Sequence, residues 1–526
     1  MITLLDYGAG NVRSVINAIE KLGETVRVAQ NSQEILRAEK LVFPGVGNFG
    51  NMIHILNQKK YMDPLKTYLQ SNRPFLGICL GLHALFEESE EAPGLKGLGI
   101  LQGSARRFRV KQSVPHIGWN GIKVKQPSIL FNDLQGDEKF YFVHTYYVDP
   151  VDPSVVLTTT DYGIEFVSGI QMGNIMGTQF HPEKSGPTGL TLLKNFIQKD
   201  RDPVLPILQS GETKLAKRII ACLDVRSNDQ GDLVVTKGDQ YDVREEGAVR
   251  NLGQPVELAQ RYFKEGADEI TFLNITGFRD FPLEDMPMLK VLRRTSRTVF
   301  VPLTIGGGIR DYTDKDGRQY SALTVAEEYF RSGADKISIG SDAVLIAEEY
   351  LRTGEKTGES SIEQISKVYG NQAVVISIDP RRMCVQAPDS VRHPVVETSL
   401  PGPGGERFCW FQCTVQGGRK GRDLDAITLA RVCESLGAGE ILLNCIDRDG
   451  TNSGFDLELI HAVKQAVTIP VIASSGAGCA EHFQEVFEKT DVESALAAGI
   501  FHRKEVPISH VKSFLTGKLE IRPVQI

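Results

Sequence analysis

The C-terminal part of the chain repeats one local pattern, and this pattern restricts the fold more than any other feature of the sequence. From about residue 217 onward, apolar runs that predict strands alternate with helical patterns, and each run ends in Gly, Asp, Thr or Ser. The eight predicted strands end near Asp224, Thr276, Gly306, Gly340, Asp379, Asp447, Ser475 and Gly499. Eight strand–helix units in roughly 300 residues predict a closed (β/α)8 barrel, also called a TIM barrel.

The predicted barrel also resembles itself. Residues 219–224 resemble residues 374–379, and residues 301–308 resemble residues 469–476, in the correct strand order. Two half-barrels of four units each explain this repeat, and chance similarity between generic units is the alternative. The spacing between the copies is unequal, which predicts an insertion after the fifth strand. Residues 383–418, rich in Pro, Gly and polar side chains, fit that insertion.

The N-terminal part has a different pattern, which predicts an α/β layer structure with a central, largely parallel sheet. Short apolar runs alternate with helical patterns, and shorter strands follow from about residue 95. The early strands are predicted at residues 2–6, 24–29, 40–43 and 74–78, and the early helices at residues 11–22, 58–71 and 80–89. We therefore expect an α/β domain at 1–198, a polar, turn-rich linker at 199–216 and the barrel domain at 217–526.

Composition and charge argue against several classes of function. The net charge of -7 disfavours nonspecific binding to nucleic acid or to an anionic membrane. No apolar run is long enough to span a bilayer. The 8 cysteines are scattered without CxxC spacing and no signal peptide precedes them, so we expect reduced thiols in a cytosol-like compartment. We expect neither a metal site nor a bound cofactor.

Cys79 lies in a Gly-x-Cys-x-Gly sequence that directly follows an apolar run. Between a strand and a helix, this sequence has the form of a nucleophile elbow, and the helix N-terminus favours the thiolate. Farther along, His181 and Glu183 are two residues apart, on one face of an extended segment. They are suited to act as a base and its orienting carboxylate. The alternative is a buried structural cysteine and an unrelated surface histidine.

Two aspartates are predicted at opposite sides of the barrel mouth. Asp224 and Asp379 end the first and fifth strands, on the face that carries the active site in barrels of this type. Paired carboxylates there suit general acid and base catalysis. The alternative is that each aspartate caps the helix that follows it.

Glycine-rich segments are predicted at the mouths of strands three, four, seven and eight. Backbone N–H groups at such segments can approach phosphate oxygens, and the repeat provides them on both halves of the barrel. We therefore expect a long substrate with a phosphate at each end. The residues concerned are Gly307, Gly308, Gly340, Ser341, Ser475, Gly476, Ala498 and Gly499. Lys237 lies on the first loop after Asp224. It either neutralises substrate charge, holds a flexible lid, or is a solvated loop lysine.

Charged residues also stand at the opposite end of the predicted barrel. Arg218, Glu269, Lys336 and Glu440 begin strands one, two, four and six. Polar residues at this bottom face usually contribute stability. Four charges of alternating sign around one axis can instead form a salt-bridged ring around a narrow opening, and the sequence leaves both interpretations open.

Both parts resemble known enzyme domains. The N-terminal part resembles the class I glutamine amidotransferases through residues 44–47, 77–81 and 181–183. The C-terminal part resembles the cyclase barrel of imidazole glycerol phosphate synthases through several strand-end motifs. These motifs are residues 220–225, 376–379, 446–450 and 501–502. Nearly the whole chain is thus similar to the fused, single-chain form of that family.

The resemblance implies a role for each candidate in the N-terminal domain. Cys79 would attack glutamine, His181 would shuttle the proton and Glu183 would orient His181. The backbone N–H groups of Leu80 and of the Val46–Gly47 segment would form the oxyanion hole. Further residues implied for the glutamine pocket are Gly47, His83, His144, Thr145 and Tyr146.

For the barrel, the resemblance implies that ammonia enters past Arg218, Glu269, Lys336 and Glu440 and reacts at the mouth. The acceptor would be phosphoribulosyl-formimino-aminoimidazole carboxamide ribonucleotide, with Asp379 and Asp224 as acid and base. The products would be imidazole glycerol phosphate and aminoimidazole carboxamide ribonucleotide, for histidine and purine synthesis. Further substrate contacts are implied for Asn444, Asp447, Asp449 and Gly450. No separate subunit is needed, and the implied compartment is the cytoplasm, or a plastid if a transit peptide was removed.

Three other interpretations remain open at this stage. An amidotransferase can feed a barrel of the pyridoxal phosphate synthase type, but that chemistry needs barrel lysines where this mouth presents aspartates. A barrel isomerase of the phosphoribosylformimino class needs no amide donor and leaves Cys79 unexplained. A metabolite-sensing scaffold with an inactive glutaminase is disfavoured by the intact set of Cys79, His181 and Glu183.

Overall fold

The structure is a computed structural model, which describes most of the chain. The described residues are 1–8, 10–198, 202, 211–227, 233–236, 244–245, 248–249, 251–275, 283 and 286–524. Of the predicted linker 199–216, residues 202 and 211–216 are described. Lys237 and Thr276 lie outside the described residues.

The N-terminal unit contains thirteen described strands and six described helices. The strands are β1 (Ile2–Leu4), β2 (Val26–Val28), β3 (Leu41–Gly45), β4 (Phe75–Cys79), β5 (Glu88–Ser89), β6 (Gly103–Arg107), β7 (His116–Asn120), β8 (Lys123–Val124), β9 (Phe140–His144), β10 (Tyr146–Pro150), β11 (Val156–Asp161), β12 (Glu165–Met172) and β13 (Ile175–Thr178). The helices are α1 (Val12–Lys21), α2 (Ser32–Arg37), α3 (Phe49–Gln58), α4 (Met62–Gln70), α5 (Leu80–His83) and α6 (Gly186–Ile197).

One large sheet organises this unit. Its main path runs β2-β1-β3-β4-β13-β12-β10-β6-β5, with β11 and β8 attached beside β12. The strands from β2 to β13 are parallel, and those from β13 to β6 pair antiparallel. The predicted α/β layer structure with a largely parallel centre is confirmed.

The second unit begins with β14 and holds the remaining elements. Its strands are β14 (Arg218–Ser227), β15 (Leu233–Thr236), β16 (Arg244–Glu245), β17 (Ala248–Val249), β18 (Glu269–Asn274), β19 (Leu303–Gly306), β20 (Tyr312–Thr313), β21 (Gln319–Tyr320), β22 (Lys336–Ile339), β23 (Val374–Ile378), β24 (Pro380–Val385), β25 (Val396–Glu397), β26 (Phe408–Val415), β27 (Lys420–Asp425), β28 (Glu440–Asn444), β29 (Val471–Ser474) and β30 (Ser494–Ala497). Its helices are α7 (Pro255–Lys264), α8 (Pro287–Thr295), α9 (Ala322–Arg331), α10 (Ser341–Thr353), α11 (Ser361–Tyr369), α12 (Ala426–Leu436), α13 (Leu457–Ala466), α14 (Ala480–Thr490), α15 (Gly499–His502) and α16 (Ile508–Leu515).

Eight parallel strands close into a barrel, as predicted. Their order is β14-β18-β19-β22-β23-β28-β29-β30, and β30 pairs back onto β14. This closing pair aligns Arg218 with Ser494 and Ala221 with Ala497. The closure removes both sheet edges, so the strand starts meet at one end and the strand ends at the other.

The insertion after the fifth barrel strand is a small sheet of its own. In it β26 pairs antiparallel with β24, β25 and β27. The sheet spans residues 380–425 and is therefore longer than the predicted segment 383–418. The Pro and Gly content of this segment is typical of loops, so its strands were not predicted from the sequence.

The helix predicted at residues 80–89 is wrong in length, because α5 ends at His83. The backbone N–H groups of Leu98 and Ile100 donate to the carbonyls of Ala84 and Leu85. Those carbonyls are therefore already paired, and a continuing helix cannot use them. Two helices, α2 and α3, were not predicted.

Every second side chain of a barrel strand points to the barrel interior. From bottom to mouth, these inner side chains are first charged, then apolar and finally polar. On β14 the residues Arg218, Ile220, Cys222 and Asp224 share a face, because side chains alternate with period two. The apolar layer forms a separate buried cluster inside the barrel. Its members are Ile220, Cys222, Val375, Leu442, Ile472 and Leu496, with Leu273 and Ala498 packed against them.

The N-terminal unit packs against the bottom of the barrel, where the strands begin. Trp119 donates its indole N–H to the carbonyl of Asp268, the residue before β18, at 3.0 Å. Asn11 donates to Asp335, the residue before β22, at 2.8 Å, and Lys184 pairs with the same carboxylate at 2.6 Å. These contacts hold the sheet that carries Cys79 over the lower opening of the barrel.

Candidate active site

The Cys79 thiol is presented by a tight turn between β4 and α5. Cys79 itself has φ +51°, a conformation that non-glycine residues rarely adopt and that marks a strained functional turn. The turn lies directly against β3, since a Cβ atom on Gly81 would stand 2.0 Å from the Phe43 carbonyl oxygen. The glycine is therefore required by close backbone packing, as the elbow pattern predicts.

His181 and Glu183 lie beside this thiol. His181 Nδ1 and Glu183 Oε1 are 2.8 Å apart, and both side chains are almost fully buried. Burial lowers the pKa of His181, yet Glu183 and the Cys79 thiol next to it outweigh burial and raise it to about 10. The raised pKa favours the imidazolium form of His181 beside the Cys79 sulfur, an arrangement that suits a cysteine nucleophile.

A second contact reaches the thiol from the other side. The Gln179 amide donates to Cys79 Sγ at 3.5 Å, and its carbonyl oxygen lies 2.8 Å from His83 Nε2. Burial lowers the pKa of His83 to about 4, so His83 is neutral and donates through Nε2. The predicted site residue His83 is thus connected to Cys79 only through Gln179. Gln179 was missed as a site residue, although it stands two positions before His181.

The Val46–Gly47 segment runs beside the elbow. The Tyr7 hydroxyl donates to the Val46 carbonyl at 2.7 Å, which fixes the direction of that peptide. The next residue, Asn48, donates its backbone N–H to the Val368 carbonyl of the barrel at 3.2 Å. A candidate oxyanion segment is therefore attached to both units. Leu80, whose N–H is the other candidate donor, begins α5.

The predicted pocket residues 144–146 follow at the end of β9 and the start of β10. His144 donates from Nδ1 to the Tyr146 carbonyl at 2.7 Å, so its Nε2 is free to accept from His116 Nδ1 at 3.1 Å. Burial lowers the pKa of His144 to about 3. Thr145 donates to Asn371 of the barrel at 2.9 Å, a further link between the pocket and the second unit.

Glu91 is a candidate that the sequence did not reveal. Its carboxylate accepts the Phe49 backbone N–H at 2.8 Å, immediately after the Val46–Gly47 segment. Burial raises the pKa of Glu91 to about 7, although hydrogen bonds from Phe49 and Asn48 lower it. Glu91 belongs to a run with Glu87, Glu88 and Glu90, and such a run usually indicates a solvated surface.

The four charges at the barrel bottom form a closed ring. Arg218 pairs with Glu269 at 2.8 Å and also with Glu440, while Lys336 pairs with Glu269 at 2.7 Å and with Glu440 at 2.5 Å. All four side chains are completely buried. Burial raises the pKa of Glu440, but Arg218 and Lys336 outweigh burial and hold it below its ordinary value.

We expect Lys336→Met to destabilise the protein by about 3–5 kcal/mol, because it leaves two buried carboxylates with one cation. The measurement is urea unfolding followed by circular dichroism. A matched control is Arg352→Met, which breaks an exposed pair with Glu349 and should leave the free energy of unfolding unchanged. Equal stability of Lys336→Met and the wild type would contradict the ring as described.

Tyr141 connects the ring with the Cys79 site. Its backbone carbonyl accepts the His181 N–H at 2.9 Å, and its ring packs near Trp119 with centroids 5.9 Å apart. Its buried hydroxyl has no hydrogen-bond partner among the described residues. Burial raises the pKa of Tyr141 well above its ordinary value, with a further contribution from Glu269. Tyr141 thus contacts the His181 backbone on one side and lies near the charged ring on the other.

At the barrel mouth, Asp379 follows β23 and is held by a neighbour on β28. Asn444 donates from Nδ2 to Asp379 Oδ1 at 2.8 Å and to the Ser377 hydroxyl at 3.1 Å. Burial raises the pKa of Asp379, although these hydrogen bonds lower it in part. A carboxyl group with a raised pKa is suited to proton transfer near neutral pH.

Asp224 lies at the same end of the barrel, on β14. Burial raises the pKa of the Cys222 thiol, and the neighbouring Asp224 and Asp449 raise it further. Both carboxylates therefore lie close to the upper end of the apolar layer. Asp447 Oδ2 accepts the backbone N–H of Arg382 at 2.6 Å, which joins the insertion to the mouth.

The predicted phosphate segments lie at the strand ends in both halves of the barrel. A Cβ atom on Gly307 would stand 2.1 Å from the Asn274 carbonyl oxygen, and one on Gly476 would stand 2.2 Å from that of Gly454. Gly308, Ser475 and Gly450 also have positive φ. Ser341 begins α10 directly after Gly340, and Gly499 begins α15 directly after Ala498. The Ser341 hydroxyl accepts the Gln416 N–H at 3.0 Å.

Lys237 is the one predicted site residue that lies outside the described residues. Within the described part of the chain, no three His, Cys, Asp or Glu side chains are grouped in a way that suits a metal ion. None of the described helices has both the length and the apolarity needed to cross a bilayer.

Two family models match the chain. Residues 3–199 match the class I glutamine amidotransferases, and residues 218–507 match the histidine biosynthesis proteins. The two matches fall on the two units of the fold, one on the sheet with Cys79 and one on the barrel.

Curated relatives match both units at once. The chain is 57% identical to imidazole glycerol phosphate synthase hisHF, chloroplastic, of Arabidopsis thaliana, over 99% of this chain and 89% of that protein. It is 54% identical to imidazole glycerol phosphate synthase hisHF of Schizosaccharomyces pombe, over 98% of each. The corresponding protein of Emericella nidulans is 52% identical, over 98% of this chain and 97% of that protein. The chain therefore belongs to the fused imidazole glycerol phosphate synthases, bifunctional enzymes of histidine biosynthesis that join a class I glutamine amidotransferase to a cyclase barrel.

Proposed function

We propose that this chain releases ammonia from glutamine at Cys79 and uses it at the barrel mouth to form imidazole glycerol phosphate. The second substrate is phosphoribulosyl-formimino-aminoimidazole carboxamide ribonucleotide, and the second product is aminoimidazole carboxamide ribonucleotide. The names of the fused relatives support this activity. The geometry supports roles for the candidate residues that the structure describes.

In the glutaminase half, the Cys79 thiolate attacks the glutamine carboxamide carbon. His181 gives its proton to the leaving nitrogen, a glutamyl thioester forms and ammonia departs. Water then attacks the thioester, with His181 as base and Glu183 holding its Nδ1–H. The Leu80 and Val46–Gly47 backbone N–H groups stabilise the oxyanion in this scheme.

The ammonia crosses from one half to the other inside the protein. Tyr141 contacts the His181 backbone and lies near the charged ring, which supports the ring as the entrance for ammonia. Beyond the ring lies the apolar layer from Ile220 to Leu496. Such surroundings favour neutral ammonia, the nucleophilic form, over ammonium and limit its loss to water. Opening of the ring by one side chain is required for passage, because the ring is closed in this structure.

In the cyclase half, Asp379 and Asp224 transfer protons during addition of ammonia and ring closure. Asp379 carries a raised pKa and is oriented by Asn444, so it is suited to act as the general acid. The paired segments at strands three and four and at strands seven and eight bind the two phosphates of the substrate, with Lys237 on the first loop as a further partner. Asp447, Asp449 and Gly450 line the same mouth.

Glutamine hydrolysis is coupled to occupation of the barrel mouth. The oxyanion segment is attached to the barrel through Asn48 and Val368, so movement of the barrel reaches that segment directly. Coupling of this kind makes each substrate favour the binding of the other. Both active units are on one chain, so no separate subunit is needed. The proposed compartment is the cytoplasm, with the plastid as the alternative because the Arabidopsis relative is named chloroplastic.

The single observation that carries this proposal is the placement of the Cys79 site directly over the ring at the barrel bottom. Its test is an assay of the purified chain with glutamine and the nucleotide, each alone and both together. We expect slow glutamate release from glutamine alone, and fast release with equal formation of imidazole glycerol phosphate when both are present. Fast glutamate release without nucleotide, unchanged when it is added, would contradict the coupling.

A further inference from the structure

Two cysteines face each other across the sheet of the insertion. Cys384 on β24 is directly opposite Cys409 on β26 in the antiparallel register. Residues opposite each other in such a pair project from the same face of the sheet. Neither thiol takes part in the proposed reactions.

The backbone hydrogen bonds show which kind of pair this is. Pro380 has no N–H, and the N–H of Arg382 donates to Asp447 Oδ2 instead of to its opposite residue Phe411. Hydrogen-bonded and non-hydrogen-bonded positions alternate along an antiparallel pair. Residues 380, 382 and 384 therefore all occupy non-hydrogen-bonded positions. At such positions the Cα atoms are about 4.5 Å apart, which is within the range of disulfides.

The Arg382 guanidinium contacts one of the two thiols. Arg382 Nη1 lies 3.5 Å from Cys409 Sγ, and its guanidinium is held by Asp456 at 2.6 Å and by Glu458 at 2.8 Å. Burial raises the pKa of Cys409 to about 11, and Arg382 lowers it in part. Cys409 is therefore a thiol in the reduced protein, and the adjacent guanidinium lowers the cost of forming its thiolate in a thiol exchange step.

The two thiols differ in access. Cys384 is partly exposed, whereas Cys409 is fully buried in the central strand β26. An oxidant in solution therefore meets Cys384 first, and Cys409 is placed to complete the reaction from inside. This division resembles that of an attacking and a resolving thiol.

We propose that Cys384 and Cys409 are a modification site that closes reversibly to a disulfide when the chain meets a small disulfide oxidant such as oxidised glutathione. The Cys384 thiolate attacks one glutathione sulfur, and one reduced glutathione leaves with a proton. Cys409 then attacks the Cys384 sulfur and releases the second reduced glutathione. One disulfide is thus reduced, one is formed, and the two cysteine protons end on the two glutathiones.

The test exposes the full, reduced chain to oxidised glutathione, blocks remaining thiols and identifies linked tryptic peptides by mass spectrometry. We expect residues 383–392 to be linked to residues 408–419, with a loss of two hydrogens that dithiothreitol reverses, and fragmentation of the linked pair to place the bond on Cys409 and not on Cys413. Cys479→Ser is the matched control, because Cys479 is another partly exposed thiol, and this variant should form the same link.

Cys409→Ala keeps the attacking thiol and removes the resolving one, so it should stop at a glutathione adduct on Cys384. Cys384→Ser should take up no glutathione at Cys409. Circular dichroism verifies that each variant is folded. The proposal is overturned if Cys384 and Cys409 stay free while Cys479 reacts, if the wild type holds only a glutathione adduct, or if Cys413 replaces Cys409 in the link.

Discussion

Replacing Cys79 with alanine should abolish formation of imidazole glycerol phosphate from glutamine and leave its formation from added ammonium salt intact. The thiol is the only group proposed to attack glutamine, so we expect glutamine-dependent turnover to fall by about a thousandfold or more. The barrel mouth does not contact Cys79, and the smaller side chain fits the same turn. The measurement is the rate of imidazole glycerol phosphate formation with each nitrogen source in turn.

Cys433→Ala is the control for this experiment, because it removes a thiol of helix α12, which holds none of the proposed site residues. It should leave both rates unchanged. Equal loss of the glutamine-dependent and ammonium-dependent rates in Cys79→Ala would refute the proposed division of work between the two units.

Asp379→Asn should stop cyclisation with either nitrogen source. The amide keeps the shape of the carboxyl group but carries no transferable proton, so we expect a loss of about 100-fold to 10,000-fold. Asn444 donates a hydrogen bond to the residue at this position, and the amide oxygen can still accept it. A large loss of rate with an unchanged fold therefore reports on proton transfer. The measurement is ammonium-dependent product formation at saturating nucleotide.

Asp389→Asn provides the comparison, since Asp389 is an exposed aspartate of the insertion. It should keep the wild-type rate. Asp379→Asn should still bind the nucleotide, which isothermal titration can follow. A near-normal ammonium-dependent rate in Asp379→Asn would remove this residue from the acid or base role.

The barrel and its ring were predictable from sequence because strand alternation is a strictly local rule. Arg218, Glu269 and Glu440 each begin a strand, and closure of eight strands necessarily brings those starts together. The same rule placed Asp379 at the mouth. The elbow around Cys79 was predictable because Gly-x-Cys-x-Gly after an apolar run is a local motif, although the contact that requires Gly81 is with Phe43 of β3.

What the sequence did not reveal depends on contacts between distant segments. Glu91 is indistinguishable from Glu87 and Glu90 until the fold buries its carboxylate against α3. The end of α5 is decided by a segment that follows fifteen residues later, around Leu98. The register that sets Cys384 opposite Cys409 is fixed only when β24 and β26 pair. No sequence pattern in the Pro-rich insertion predicts it.

The most direct measurement follows the nitrogen atom itself. The purified chain receives glutamine labelled with nitrogen-15 in its amide, the nucleotide, and a large excess of unlabelled ammonium, and the label in imidazole glycerol phosphate is read by mass spectrometry. If ammonia passes through the ring and along the apolar layer, the product formed from glutamine keeps its full label. The unlabelled product then equals the ammonium-dependent background, which is measured separately. A product label diluted to the ratio of the bulk solution would show that ammonia escapes before it reacts, and would contradict internal transfer between the two sites.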